Sequence, residues 1–147
     1  MSRRRARIRG LKVASRSMSH HRQPVTAVGA PAAIGPYSHA VSAAGLLFCS
    51  GQIPLDPDSG ELVGDTPAEQ AVRCLENLKA VCAAAGATLE DAVRLTVYMT
   101  DLGAFAEVND AYAEYFPGDP PARVAIGVAA LPKGAQVEID AIVALPG

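Results

Sequence analysis

The tetrad Thr66-Pro67-Ala68-Glu69 constrains this chain more narrowly than any other stretch of it. A threonine three residues before a glutamate is a capping box. The hydroxyl accepts the Glu69 amide, and the carboxylate reaches back to the amide of the cap. Pro67 stands at the first helical position, where its missing N–H costs nothing. Val72, Leu75, Leu78, Cys82 and Ala85 follow at three- and four-residue spacing, and Gly86 offers the left-handed stop. The period then changes. Val93, Leu95, Val97 and Met99 alternate with Arg94, Thr96 and Tyr98, which predicts a half-exposed strand.

Around this pair the other elements fall into place. His39–Ala43 and Leu46–Ser50 read as strands joined at Ala44-Gly45, and Asp56-Pro57-Asp58-Ser59-Gly60 as a turn. A second helix is predicted from Ala104 to Phe116, with Phe105, Val108, Tyr112 and Tyr115 on one stripe. Pro117-Gly118-Asp119-Pro120-Pro121 breaks it. Ala122–Ala129 is an apolar strand carrying Arg123. Gln136–Leu145 is a final strand, with Val137, Ile139, Ala141 and Val143 on one face and Gln136, Glu138 and Asp140 on the other. The order β-β-α-β-α-β-β favours an α+β domain over a doubly wound sheet. Two helices cover one face of such a sheet. The other face still carries Tyr98, Ile142 and small apolar residues, so a homo-oligomer with sheet faces packed inward is expected.

Charge divides the chain into two unlike parts. No Asp or Glu precedes Asp56, whereas eight of the 13 Lys+Arg lie in residues 1–24. Residues 25–147 hold the other five cations and all 15 acids, a net charge of -10. Residues 1–24 are expected to be a disordered basic tail outside the fold, with residues 25–147 the domain. Three readings of the tail compete: an organellar transit peptide, a nucleic-acid-binding arm, or a start of translation that really lies at Met18. The acidic domain excludes a globally basic nucleic-acid binder. No apolar run approaches the roughly 18 residues of a membrane span, and no apolar core of a secretory signal is present. A cytoplasmic location is expected, organellar only if residues 1–17 are a genuine transit peptide. Cys49, Cys74 and Cys82 form no Cys-x-x-Cys motif and read as buried thiols in a reducing compartment.

The chemistry-bearing residues are few. Arg123 opens an otherwise apolar strand, where a guanidinium must be partnered. Its planar fork suits a carboxylate; the partner is either a ligand or an internal acid, Glu138 or Asp140. Glu138 between Val137 and Ile139 is placed for a raised pKa and proton transfer, or else is a solvated strand residue. The two are expected on neighbouring antiparallel strands. Tyr37 on the Ile34-Gly35-Pro36 turn either closes over a ligand or packs as an ordinary aromatic. Gly51 either lets a ligand approach the backbone or marks a bulge. Asn109, mid-helix, reaches a site or lies on the surface. No glycine-rich phosphate loop, Gly-x-Ser-x-Gly elbow, histidine triad or metal-binding cluster is evident, and no metal site is expected. What remains suits addition of water to an activated small anion.

Five collinear blocks carry a resemblance. Ala33-Ile34-Gly35-Pro36-Tyr37-Ser38, Ser50–Pro57 with Ser59-Gly60-Glu61, Asn77–Val81, Pro121-Ala122-Arg123 and Leu131–Ile139 resemble the RidA (YjgF) family of reactive-intermediate deaminases over about residues 30–145. The resemblance implies a chorismate-mutase-like fold and a homotrimer with two helices per chain outside and sites between subunits. It implies hydrolysis of 2-imino and enamine acids, such as 2-iminopropanoate and 2-iminobutanoate, to 2-oxo acids and ammonia without a cofactor. By resemblance, Arg123 holds the substrate carboxylate and Glu138 the attacking water, while Tyr37, Gly51, Asn109 and the Ala125 backbone line the pocket. Val124 and Ala125 stand where deaminase members usually have Ser or Thr and then often Cys. Gly127 replaces a frequent Glu, and His39 a frequent Gln. Two alternatives stay beside imine hydrolysis. One is a non-catalytic module that binds or senses small carboxylates. The other is a ribonuclease or translation inhibitor, which the acidic domain opposes.

Overall fold

The computed structural model describes residues 21–147. Eight principal elements follow in order: β1 (Gln23–Val25), β2 (Ala40–Ala43), β3 (Leu46–Gln52), α1 (Pro67–Ala84), β4 (Ala92–Met99), α2 (Phe105–Ala113), β5 (Ala122–Gly127) and β6 (Val137–Ala144). The six strands form one sheet in the order β1-β2-β3-β6-β4-β5. All neighbours are antiparallel except β4 and β5, which run parallel. This is the α+β domain that the sequence predicts, with one added strand.

That strand corrects the boundary of the tail. Gln23, Pro24 and Val25 pair with Ser42, Val41 and Ala40, so residues 23–24 belong to the sheet. Composition hides them, because an edge strand needs few apolar side chains and tolerates a proline. The expected disorder of residues 1–20 lies outside the described residues.

The capping box forms as its spacing requires. Thr66 Oγ1 accepts the Glu69 amide at 3.1 Å, and Glu69 Oε1 accepts the amides of Asp65 and Thr66 at 2.8 and 3.3 Å. At the far end Gly86 takes a φ of 75°, its N–H reaches Ala83 O, and the Ala87 N–H reaches Cys82 O. This is a Schellman stop, which a residue with a Cβ adopts only under strain. The buried stripe of α1 runs through Ala71, Cys74, Leu75, Leu78, Val81 and Cys82. Val72, expected on it, is exposed.

The second helix is shorter than its periodicity predicts. Asp101 Oδ1 caps a single 3-10 turn, Leu102–Ala104, by accepting the Gly103 amide at 2.8 Å. After Ala113 only turn-type bonds remain, Tyr115 N–H to Tyr112 O and Phe116 N–H to Ala113 O. Pro117 forces the residue before it out of helical geometry.

Both helices lie on one sheet face. Leu47 and Cys49 of β3, Leu95, Val97 and Met99 of β4, and Val137, Ile139, Ala141 and Val143 of β6 form the core beneath them. Among the described residues nothing covers the opposite face. It presents Phe48, Ile126, Ile142 and Tyr98 among Arg94, Thr96, Glu138 and Asp140.

Candidate functional site

Strict alternation along β6 buries Val137 and Ile139 under the helices and turns Glu138 to the open face, opposite Tyr98. There it meets β3 at a break in pairing register between Cys49 and Gln52. Such a bulge bends the strand and opens room. Gly51 occupies the bend, and a Cβ on it would fall on Oε2 of Glu138. Glycine is therefore what lets the carboxyl group reach across the strand. A cavity of about 400 Å³ opens here, lined by Ile34, Tyr37, Gly51, Gln52, Lys133 and Glu138 among others. Partial burial, and secondarily the charge of Asp140, raise the Glu138 pKa from its ordinary value. Tyr98 donates to Asp140 Oδ2 at 2.9 Å, which ties down that neighbouring charge.

Tyr37 reaches this cavity through a tight turn. Gly35 has a φ of 131°, the Tyr37 N–H bonds Gly35 O, and the Tyr37 hydroxyl accepts the Ile34 amide at 3.1 Å. The ring remains half exposed.

Arg123 is seated elsewhere. It lies on edge strand β5 beside Leu95 of β4, so its side chain leaves on the helix face. Phe105, Asn109 and Tyr112, at i, i+4 and i+7 of α2, line up beneath it. The guanidinium carbon lies 5.3 Å from the Phe105 ring centre and 4.8 Å from that of Tyr112. Nη1 donates to Asn109 Oδ1 at 2.8 Å. Two aromatic faces and one amide thus orient the cation without neutralising it. Among the described residues the one ion pair is Lys79–Glu76, so neither Glu138 nor Asp140 partners Arg123. A cavity of about 460 Å³ adjoins it, lined by Asn109, Tyr112, Pro121 and Arg123 among others. The Val128 N–H bonds Met99 O of β4. Alternation along a parallel ladder then turns the Ala125 N–H outward, off the sheet edge and on the flank of Arg123.

The predicted site residues thus form two groups. Tyr37, Gly51 and Glu138 come together, and so do Arg123, Asn109 and the Ala125 backbone. The expectation that Arg123 and Glu138 occupy neighbouring antiparallel strands is wrong. Strand β4 stands between them, β5 runs parallel to it, and the two side chains leave opposite faces of the sheet. Sequence order misleads because β6, the last strand, inserts between β3 and β4.

Two buried amides behind the Glu138 cavity escape a reading of the sequence. Asn77, wholly buried on α1, donates to Ile53 O and Leu55 O and accepts both Nε and Nη2 of Arg73. Gln70 donates to Gly64 O and accepts the Gln136 amide at 2.8 Å. The available signal is a pair of amides on the buried stripe of a helix, which must find partners. Cys49, Cys74 and Cys82 are buried and unbridged. Among the described residues no group of three or more His, Cys, Asp or Glu is placed to hold a metal ion, and no helix is long and apolar enough to cross a membrane.

Comparison with known proteins places this arrangement. The family model described as Endoribonuclease L-PSP matches residues 28–145. Protein DfrA of Myxococcus xanthus is 56% identical over 115 residues, 77% of this chain and 88% of that protein. The 2-iminobutanoate/2-iminopropanoate deaminase of Mus musculus is 46% identical over 121 residues, 82% of this chain and 90% of that protein. A crystal structure of E. coli TdcF with bound serine superposes with a TM-score of 0.79 at 38% identity, covering 84% of this chain and 99% of that one. Relatives named for the deaminase stand beside others named only as RutC family proteins, and the chain belongs to the RidA/YjgF/RutC family.

Proposed function

We propose that this protein hydrolyses 2-imino acids and their enamine tautomers, 2-iminopropanoate and 2-iminobutanoate among them, to 2-oxo acids and ammonia. One observation carries the reading. An oriented cation and a partly buried carboxyl group are each exposed to a cavity, and neither is satisfied by the other. A small 2-imino carboxylate requires both within a few ångströms, and opposite sheet faces forbid that inside one chain. A second copy supplies the missing half. The site therefore lies between subunits, with Arg123, Asn109 and the Ala125 amide from one and Tyr37, Gly51 and Glu138 from the next. The uncovered sheet face, with Phe48 and Ile126 more than a third exposed, supports a closed homotrimer with that face inward.

The chemistry needs no cofactor. Arg123 and the Ala125 N–H hold the substrate carboxylate. Water adds to the carbon of the protonated imine while Glu138 takes its proton, giving a neutral carbinolamine. The same carboxyl group returns that proton to nitrogen and then takes the proton of the carbinolamine hydroxyl; the C–N bond breaks, ammonia leaves, the C=O bond forms, and ammonia carries the last proton away as ammonium. A raised pKa makes Glu138 a better acceptor of the water's proton than an ordinary carboxylate, and the same group returns it. The serine bound in the E. coli TdcF crystal structure is itself a small 2-amino carboxylate.

A pyridoxal-phosphate-dependent threonine or serine dehydratase supplies the imine in a coupled assay, in which its disappearance is followed. Arg123→Ala is expected to lower kcat/KM by at least about 100-fold, through loss of a charge-assisted bidentate contact. Equal rates for variant and wild type would refute the carboxylate clamp. Val124, Ala125 and Gly127 leave the strand after Arg123 without a hydroxyl, thiol or carboxyl side chain, which favours a second reading as a small-carboxylate binding or sensing module. Binding of 2-oxobutanoate with no turnover of any imine would select it. Nuclease action gains nothing from a domain with five cations against 15 acids.

A further inference from the structure

We propose that His39 is a positioning residue, a neutral strut that fixes the Tyr37 wall of the Glu138 cavity and so sets substrate affinity; this rests on the imine-hydrolysis reading. The fourteen positions between β1 and β2 contain no helix or strand. Pro31, Ala32, Ile34 and Tyr37 from this stretch line the cavity. Ala27, Ala30 and Pro31 are buried, but every residue from 32 to 37 is exposed, Ile34 and Tyr37 among them, so packing alone holds little of the lining itself. Its internal bonds, Ala30 N–H to Ala27 O and Tyr37 N–H to Gly35 O, are local turns. A wall so built loses substantial chain entropy on ordering and needs fixed points.

His39 provides two. The ring is buried, and both nitrogens are engaged. Ala27 N–H donates to Nδ1 at 2.9 Å, and Nε2 lies 2.8 Å from Pro31 O. Because Nδ1 accepts, the proton sits on Nε2, which donates to Pro31. One imidazole thus clasps the chain 12 and eight positions upstream, and its second partner is itself a lining residue. Behind the ring, the Ser50 N–H bonds His39 O at 3.0 Å, and Ser50 Oγ donates to Ser38 O at 2.7 Å. The strut is anchored on β3 one residue before Gly51. It therefore connects the Tyr37 wall to the strand that makes room for Glu138. The prearranged wall binds substrate more tightly than a wall that must be ordered at each encounter.

The test uses the full chain with two substitutions. His39→Leu removes both contacts; His39→Gln offers one acceptor and one donor on a flexible stem. In the coupled assay His39→Leu is expected to raise KM about tenfold with kcat within about threefold, and His39→Gln to recover KM to within about threefold of wild type. A mere loss of folded protein lowers kcat and leaves KM alone. An unchanged KM in His39→Leu, or a KM as high in His39→Gln, overturns the proposal. Amide hydrogen exchange decides the same point without activity. In wild type the Ala27 amide is expected to exchange at least about 100-fold more slowly than that of Val28, its exposed neighbour. Equal rates overturn the strut even if His39→Leu cannot be recovered folded. An inactive wild type with this exchange contrast removes the reaction reading while supporting the strut.

Discussion

The Glu138 cavity and the Arg123 seat solve one problem, holding a charged group ready beside a cavity, by opposite means. Arg123 is held by a single helix face. Phe105, Asn109 and Tyr112 repeat at helical spacing, so forming α2 is nearly enough to build the seat. Glu138 is held by distant pieces. Its surroundings come from the turn at Gly35, the bulge at Gly51, the Pro132–Gly134 turn and amide struts behind them. The first arrangement is local and survives movement of its neighbours. The second depends on several long-range contacts at once, and it contains the group whose proton must move.

The sharpest way to break this comparison is to separate the halves genetically. Arg123→Ala and Glu138→Gln are each expected to be nearly inactive. Unfolded together and refolded as an equal mixture, they should recover about a quarter of wild-type activity. Sites that pair a Glu138→Gln subunit's Arg123 with an Arg123→Ala subunit's Glu138 are intact, and random assembly makes one site in four of that kind. Failure of the mixture to exceed either variant would show that both groups act within one chain. The sheet topology would then be wrong at β5 or β6.

The same contrast explains which features are legible in the sequence. Both ends of α1 can be read from Thr66, Glu69 and Gly86, because caps act over four residues. The hairpin at Ala44-Gly45 can be read for the same reason, and both residues take the positive φ that such a turn needs. Arg123 stands out as a cation in an apolar strand, though its aromatic seat shows in the sequence only as a helix stripe. Its relation to Glu138 is misjudged from sequence because neighbouring in a sheet is settled by long-range pairing, to which periodicity is blind. β1 is hidden for the converse reason: three edge residues beside eight cations carry no pattern of their own. Asn77 and His39 look like ordinary polar residues until the carbonyls they serve are known.

A smaller effect sharpens the account of the Glu138 half. Gly51→Ala places a methyl group where the carboxyl oxygen sits. The side chain must swing aside, at a cost in alignment and not in core packing. A loss of about 10- to 50-fold in kcat is expected, with a change of less than about 1 kcal/mol in unfolding free energy. Arg123 is untouched, so affinity for an inert 2-oxo acid should persist. If Gly51→Ala instead unfolds the protein, the glycine is needed for the bulge and not for the carboxyl group.

The smallest effect concerns the proton itself. The Glu138 carboxyl has a pKa above its ordinary value, first because burial disfavours its charge and then because Asp140 repels it. The folded chain therefore holds this proton more tightly than the unfolded chain. Stability from this source is fully present below the unfolded pKa and is lost as pH rises through the folded one. Once ionised, the group is a cost to the fold, tolerated for its chemistry. Glu138→Gln keeps the shape and removes the charge, so it should melt slightly higher than wild type at neutral pH. The difference should vanish in acid, where both side chains are neutral. Activity runs the other way: the rate of wild type should fall with acid from a higher pH than an ordinary carboxylate would set, because the group that accepts the water's proton is already occupied. Melting curves and pH-rate profiles on the same two proteins test both signs. A variant less stable than wild type at neutral pH would mean that the Glu138 charge is stabilised in the cavity, and burial would no longer explain why this carboxyl group is poised to move a proton.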